Sequence, residues 1–126
     1  MPIITIQTNV SACQAGASFH KDITEIASEF LQKSQKIIWV MLETDKQLTM
    51  GATKEPTAIV SVECIGRLKP KLNLQFGTKL EEYLLQNLGI PKNRVVIKCV
   101  RVPALFCQFD GHLHDIGIEF DEDLKS

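Results

Sequence analysis

The chain has 126 residues, of which 44% are hydrophobic and 23% are charged, and its formal net charge is −1. This composition is typical of one globular domain with a sizeable core and excludes a disordered or fibrous chain. The balanced charge disfavours a nucleic-acid-binding surface, which normally needs a basic excess. No apolar run reaches the roughly 18–20 residues of a membrane span, and no signal-peptide pattern opens the chain, so we expect a cytoplasmic protein. The four cysteines (Cys13, Cys64, Cys99 and Cys107) have no paired spacing, which predicts thiols rather than a disulfide scaffold.

The first half of the chain predicts a strand, a helix and a second strand. Residues 3–8 are rich in β-branched side chains and predict the first strand. From Ser18 to Lys33, apolar residues recur at the spacing of a helix with one buried side: Phe19, Ile23, Ile26 and Phe30. The apolar run over residues 37–42 then predicts the second strand.

The second half repeats this order. Residues 58–65 predict a strand that is closed by Gly66. The helical stretch that follows ends at the stop signal of Gly89 and Pro91, and one of its sides carries Phe76, Leu80, Tyr83, Leu84 and Leu88. Residues 94–102 predict the last strand, on which Val96, Lys98 and Val100 share one face.

Two successive β-α-β units predict an α/β (α+β) fold, a four-stranded mixed sheet with two helices on one face. The other face of such a sheet is left bare, so the pattern also predicts an oligomer that covers it. Residues 119–126 are acidic, and we expect them to form a loosely held extension.

The dipeptide Met1-Pro2 precedes the first strand directly. If Met1 is removed, Pro2 becomes a free secondary amine, and a strand would hold its nitrogen rigidly. An α-amino group titrates near pH ~7.7–8.0, so modest burial makes it a base at neutral pH. The alternative is that a proline at position 2 has no functional meaning.

Several short segments, taken in order, resemble the macrophage migration inhibitory factor (MIF) family of the tautomerase superfamily. The resemblance runs without an obvious gap from Met1 to about His114. Its segments are Met1-Pro2, Thr8-Asn9-Val10, Lys33, Gln47-Leu48-Thr49-Met50-Gly51, Glu55-Pro56, Cys64-Ile65-Gly66 and Leu88-Gly89-Ile90-Pro91-Lys92-Asn93-Arg94-Val95. The resemblance assigns residues 1–114 to a MIF-like domain and leaves 115–126 as an acidic extension.

The resemblance implies a homotrimer whose sheets face a central axis. It implies a cofactor-free enzyme that catalyses keto–enol tautomerisation of small aromatic α-keto acids of the phenylpyruvate type. Several animal members of this family are also cytokines, secreted without a signal peptide. The alternative function is therefore a signalling protein that binds a cell-surface receptor and keeps weak or vestigial tautomerase activity.

The resemblance also assigns roles to individual residues. Pro2 corresponds to the general base, Lys33 to the cationic site residue, and Ile65 to a position whose backbone N–H is used. Without the resemblance, Lys33 reads as a solvated charge at a helix C-terminus, and Ile65 as an ordinary core residue of a strand.

The chain departs from the family pattern in its last strand and beyond. Val96 and Lys98 stand where the family commonly has Tyr and Asn. Two alternatives stay open for Lys98: it faces the substrate pocket and favours doubly acidic ligands, or it extends into solvent at a trimer edge. Phe109 keeps an aromatic pocket wall in place of the family's Trp. The run His112-Leu113-His114-Asp115 is a weak metal motif that we interpret as a surface turn, so no metal site is predicted.

Overall fold

A computed structural model describes residues 1–113 of the chain. Its strands and helices are β1 (Ile3–Thr8), α1 (Phe19–Leu31), β2 (Trp39–Glu43), β3 (Ala58–Cys64), α2 (Pro70–Leu88), β4 (Val95–Arg101), β5 (Gln108–Phe109) and β6 (His112–Leu113). The two β-α-β units are therefore confirmed. The predicted domain end at His114 and the extension 115–126 lie outside the described residues.

Strand β1 occupies the interior of a mixed four-stranded sheet. The strand order is β2-β1-β3-β4, with β1 parallel to β2, β3 parallel to β4, and β1 antiparallel to β3. Each parallel pair is joined through a helix, as the connection rule requires. The predicted mixed sheet is confirmed.

Two element boundaries differ from the sequence prediction by more than one residue. Helix α1 ends at Leu31 and not at Lys33, because Gln32 adopts the left-handed conformation (φ 54°) that ends many helices. Strand β2 begins at Trp39 and not at residue 37, because residues 35–37 form a 3-10 turn. Ser34 caps this turn by accepting a hydrogen bond from the Lys36 N–H.

The hydrophobic core lies between the two helices and one face of the sheet. Alternate residues of β1 and β3 point into it and are fully buried, among them Ile4, Ile6, Val60 and Val62. The helices present one buried stripe each: Phe19, Ile23, Ala27 and Leu31 on α1, and Phe76, Leu80, Leu84 and Leu88 on α2. The helices are also linked by the Tyr83 hydroxyl, which donates to Asp22 Oδ2 at 2.6 Å.

The opposite face of the sheet is largely uncovered in one chain. The strand register places its side chains in three rows across β2, β1, β3 and β4: Glu43-Gln7-Ile59-Val96, Met41-Thr5-Ser61-Lys98 and Trp39-Ile3-Glu63-Val100. Its large apolar side chains are exposed, for example Met41 at 54% and Val96 at 51%. Both helices therefore pack on one face, as predicted, and the other face requires cover.

The four cysteines all lie within the described residues, where each is a free thiol. None of the helices formed by residues 1–113 combines the length and the apolar character that crossing a membrane demands.

Two leucines of α2 provide a matched test of the core. Leu80 is fully buried, whereas Leu74 on the same helix is 72% exposed. We expect Leu80→Ala to lower the free energy of unfolding by about 2–5 kcal/mol, because it removes apolar contacts and leaves a cavity. We expect Leu74→Ala to change it by less than about 0.5 kcal/mol. Urea denaturation followed by circular dichroism measures both; equal losses would contradict the assignment of the core.

Candidate active site

The chain terminus is held inside the sheet. Pro2 directly precedes β1, and its carbonyl oxygen accepts a hydrogen bond of 3.0 Å from the Trp39 N–H. Pro2 is buried, and Met1 is only 6% exposed. Proline has no N–H to donate, so it suits the residue just before a strand. Since β1 lies between β2 and β3, the Pro2 backbone is held at this end of the sheet by its hydrogen bond to Trp39.

Met1 packs in a small apolar cluster of its own, separate from the main core. Its buried members are Met1, Ile65 and Ala104, and Val102 and Cys107 pack against them. Ala104 belongs to the 3-10 turn Ala104–Phe106 that follows β4. Met1, the residue that precedes Pro2, is thus enclosed by the end of β3 and by the segment that follows β4.

Lys33 brings a positive charge to this cluster. Burial lowers the pKa of the Met1 amine below its ordinary value of 8.0, and the charge of Lys33 lowers the pKa further. The Cys64 and Cys107 thiols act in the opposite direction. Burial and the neighbouring cation lower the pKa because both disfavour the charged form of the amine.

The end of α1 turns Lys33 towards the interior. The left-handed Gln32 reverses the chain, and its N–H donates to the Ser28 carbonyl at 2.9 Å. The Ser28 hydroxyl then donates to the Lys33 carbonyl at 2.6 Å, which holds the turn. Lys33 is only 8% exposed. The alternative of a solvated lysine therefore does not describe this structure.

Ile65 lies at the turn that follows β3. It is 1% exposed, and its side chain packs against Met1, so it is at once a core residue and a wall of the cluster. Gly66 and Arg67 both have a φ of 67°, and the Leu68 N–H donates to the Gly66 carbonyl at 2.7 Å. This tight turn sharply changes the chain direction directly beside the terminus.

Phe109 lies near this site, but Lys98 does not. The Phe109 ring packs edge-on against Trp39 with 5.4 Å between ring centroids, and Trp39 hydrogen-bonds the Pro2 carbonyl. Lys98 is exposed on β4, and β3 separates it from β1. Two strand spacings correspond to about 10 Å. One chain therefore brings Pro2, Lys33 and Ile65 together around the terminus, connects Phe109 to it through Trp39, and leaves Lys98 on the open face of the sheet.

The sequence prediction missed Ala104 and Cys107 as neighbours of the site. They lie in a segment of 3-10 and irregular structure that has neither the period of a helix nor that of a strand. No local signal marks them, since only packing against Met1 makes them relevant.

Within residues 1–113, no group of three or more His, Cys, Asp and Glu side chains is arranged to hold a metal ion. The weak metal motif ends at His114 and Asp115, outside the described residues.

The family follows from comparison with known proteins. Residues 1–114 match the family model described as macrophage migration inhibitory factor (MIF). The chain belongs to the MIF family. The resemblance recognised in its sequence is thereby confirmed.

Individual MIF relatives agree with this assignment. A macrophage migration inhibitory factor homolog of Trichinella spiralis is 33% identical over 102 residues, which cover 81% of this chain and 90% of the relative. The solved structure of macrophage migration inhibitory factor from Oncomelania hupensis is 38% identical, with a TM-score of 0.92, and covers 99% of this chain and 91% of its own. A MIF homologue structure from Prochlorococcus marinus is 29% identical, with a TM-score of 0.82, and covers 87% of this chain and 96% of its own.

The interaction between the terminus and Lys33 can be measured directly. In the protein that carries Met1, we expect the Met1 amine to titrate below pH 8.0, and Lys33→Gln to raise its pKa because a neighbouring positive charge is removed. An NMR titration that follows the labelled Met1 α-carbon measures both values.

Lys36→Gln is the matched control for this titration. Lys36 is exposed and lies only three residues further along the chain. The Met1 pKa should be the same in this variant as in the wild type. An unchanged pKa in Lys33→Gln would show that Lys33 does not act on the terminus.

Proposed function

We propose that this MIF family protein is a cofactor-free tautomerase that interconverts the keto and enol forms of small aromatic α-keto acids of the phenylpyruvate type. The observation that carries the proposal is the position of Met1, buried with Ile65 and Ala104 and close to Lys33. Removal of Met1 would leave an apolar cavity there, bordered by the Pro2 amine and a cation. A small acidic and aromatic substrate fits such a cavity.

In the proposed reaction, Pro2 is the general base. In the keto-to-enol direction, the neutral amine takes a proton from the carbon next to the keto group. The electron pair of that C–H bond forms the C=C bond of the enol, while the π electron pair of the C=O bond moves to the keto oxygen. The resulting ammonium then returns the proton to this oxygen, so the amine is regenerated. The reverse sequence converts the enol to the keto form.

Lys33 and the Ile65 turn support this chemistry. Negative charge develops on the keto oxygen as the proton leaves the carbon, and a cation held in a low-dielectric site stabilises that charge. Lys33 is such a cation, since it is 8% exposed. The backbone N–H of Ile65 is proposed as a further hydrogen-bond donor to the substrate. Phe109, beside Trp39, is proposed as the aromatic wall that contacts the substrate ring.

We also propose that the protein is a homotrimer in which Lys98 completes the site of a neighbouring subunit. The open face of the sheet exposes Met41, Val96 and Val100, and burying it against other copies would remove this apolar area from water. Lys98 is too far from Pro2 of its own subunit to act there, but its exposed position on edge strand β4 is suited to contact across an interface. A second cation at the site would favour doubly acidic substrates.

The second candidate function is that of a MIF-like cytokine with weak or vestigial activity that binds a cell-surface receptor. Val96 and Lys98 favour it, because they replace the hydroxyl and amide side chains common in the family. This function would require secretion without a signal peptide, whereas the enzyme could act in the cytoplasm. Catalytic rates separate the two functions.

Pro2→Gly tests the proposed base. We expect kcat/KM for phenylpyruvate to fall by about 10²-fold, since proton transfer by a positioned side chain contributes roughly 10²–10⁴-fold. Ultraviolet absorbance of the enol measures the rate, and mass spectrometry must first show that Met1 has been removed from both proteins. Size-exclusion chromatography checks that the variant keeps the wild-type assembly. Equal rates in the two proteins would exclude Pro2 as the base.

Lys98→Asn tests the proposed specificity. We compare kcat/KM for phenylpyruvate with that for an analogue that carries a second carboxylate on the ring. The preference for the doubly acidic analogue should fall about tenfold, because one charge-assisted hydrogen bond is worth roughly 1.5–3 kcal/mol. Lys92→Asn is the control, since it removes the same charge from an exposed 3-10 turn. An equal loss of preference in both variants would show a general charge effect and exclude Lys98 from the site.

A further inference from the structure

Phe106 has the most exposed large apolar side chain among the described residues, at 84%. The turn that carries it is well fixed. The Phe106 N–H donates to the Pro103 carbonyl at 2.9 Å, and Ala104 in the same turn is buried against Met1. Leu105, the residue between them, is 44% exposed. Two adjacent apolar side chains that a fixed turn holds in water indicate an interaction surface.

A cavity of about 230 Å³ opens at the start of β4. Its lining includes Met50, Ile59, Arg94 and Val96, and we call it the β4 groove. An apolar cavity of about 150 Å³ is large enough to bind benzene, so the groove has room for a phenyl ring. Ile59 and Val96 are paired neighbours in one row of the open sheet face. The groove is therefore continuous with the face that requires cover.

One wall of the β4 groove is held in place by Arg94. Its Nε donates to the Pro56 carbonyl at 2.9 Å, and its Nη2 donates to the Glu55 carbonyl at 3.0 Å. Met50 and Thr53 exchange two backbone hydrogen bonds, of 3.2 and 3.1 Å, in the same loop. The wall is thus preformed, and little conformational entropy is lost when a ring enters the groove.

The Phe106 of the same chain does not reach this groove. Strands β3 and β4 run side by side from the pair Ala58–Val95 to the pair Cys64–Arg101. The groove lies at the first pair, and the turn that carries Phe106 follows the second. The six steps of β4 between the two pairs correspond to about 20 Å. The ring that fills the groove must come from another molecule.

The charges around the ring and the groove are complementary. Residues 103–113 contain one Asp, Asp110, and no Lys, Arg or Glu. The groove contains Arg94, and the exposed Lys92 lies beside it in the same 3-10 turn. A guanidinium group also attracts the face of an aromatic ring. A second copy of this chain therefore supplies a ring of the right size with an acidic residue near it.

We propose that Phe106 of one subunit inserts into the β4 groove of the next subunit. The ring and the groove are different surfaces, so the contact is heterologous and repeats head-to-tail around a closed ring of subunits. Phe106 lies beside the Met1 cluster, whereas Lys98 shares one face of β4 with Val96. The contact therefore brings Lys98 of the subunit with the groove towards the candidate active site of the other subunit. This contact rests on the homotrimer proposed above and specifies how its subunits are joined.

Sedimentation equilibrium of the full chain measures the contact. We expect Phe106→Ala to raise the dissociation constant for one subunit about 100-fold, because each subunit makes two such contacts and an aromatic anchor is worth roughly tenfold in each. Leu74→Ala is the control, since it removes an apolar side chain that is 72% exposed on α2, and it should leave the constant unchanged. Circular dichroism checks that both variants are folded. An unchanged constant in Phe106→Ala, or an equal rise in both variants, overturns the proposal.

A double-mutant cycle tests whether the groove receives the ring. Val96→Ala removes a side chain of the groove and should also weaken the assembly. Phe106→Ala combined with Val96→Ala should raise the dissociation constant by less than the product of the two single effects, because both remove the same contact. If the two effects multiply, or if only Val96→Ala weakens the assembly, the ring lies elsewhere and the proposal is wrong.

Phenylpyruvate turnover separates this contact from the proposed function. An inactive wild type whose assembly is weakened by Phe106→Ala would exclude the tautomerase function and support the contact. An active wild type whose assembly is unaffected by Phe106→Ala would support the function and exclude the contact. A wild type that stays monomeric at all concentrations would also exclude the contact.

Discussion

The pairing of β1 with strands on both of its sides is the constraint on which the rest of the structure depends. Ile3 is paired with Trp39 on β2 and with Glu63 on β3, so the first residues of the chain lie inside the sheet and not at a frayed edge. Two neighbouring strands hold the backbone, and the Trp39 N–H fixes the Pro2 carbonyl. This pairing gives the terminal amine a defined position, in which burial and the charge of Lys33 lower its pKa.

The candidate active site brings two basic groups close together away from water. The repulsion between them lowers the stability of the fold, and the hydrophobic core must offset this loss. The Met1 amine and Lys33 bring two basic nitrogens into one poorly solvated cluster, where each disfavours the charge of the other. A packing arrangement chosen for stability alone would place an apolar residue at position 33. The hydrogen bond from Ser28 to the Lys33 carbonyl and the left-handed Gln32 hold the lysine inside in spite of this cost.

The two faces of the sheet differ in whether one chain covers them. The face beneath the helices is closed, with Ile4, Val60 and Phe76 fully buried, and it accounts for the fold of one chain. The other face exposes apolar side chains on β2 and β4, whose burial requires another molecule. Lys98 stands in a row with Met41, Thr5 and Ser61 on that face. The folding of one chain leaves Lys98 exposed there.

The sequence by itself determined the elements and the family, because both depend on local information. The β-branched run before Asn9, the helical spacing from Phe19 and the stop at Gly89 act over a few residues, and the structure has a strand, a helix and a helix end there. Only the tertiary structure decided that Lys33 is buried, that Ala104 and Cys107 border Met1, and that β3 separates Lys98 from Pro2. These are contacts between residues far apart in the chain, and no local period or propensity encodes them, since they exist only after the strands have paired and the helices have packed.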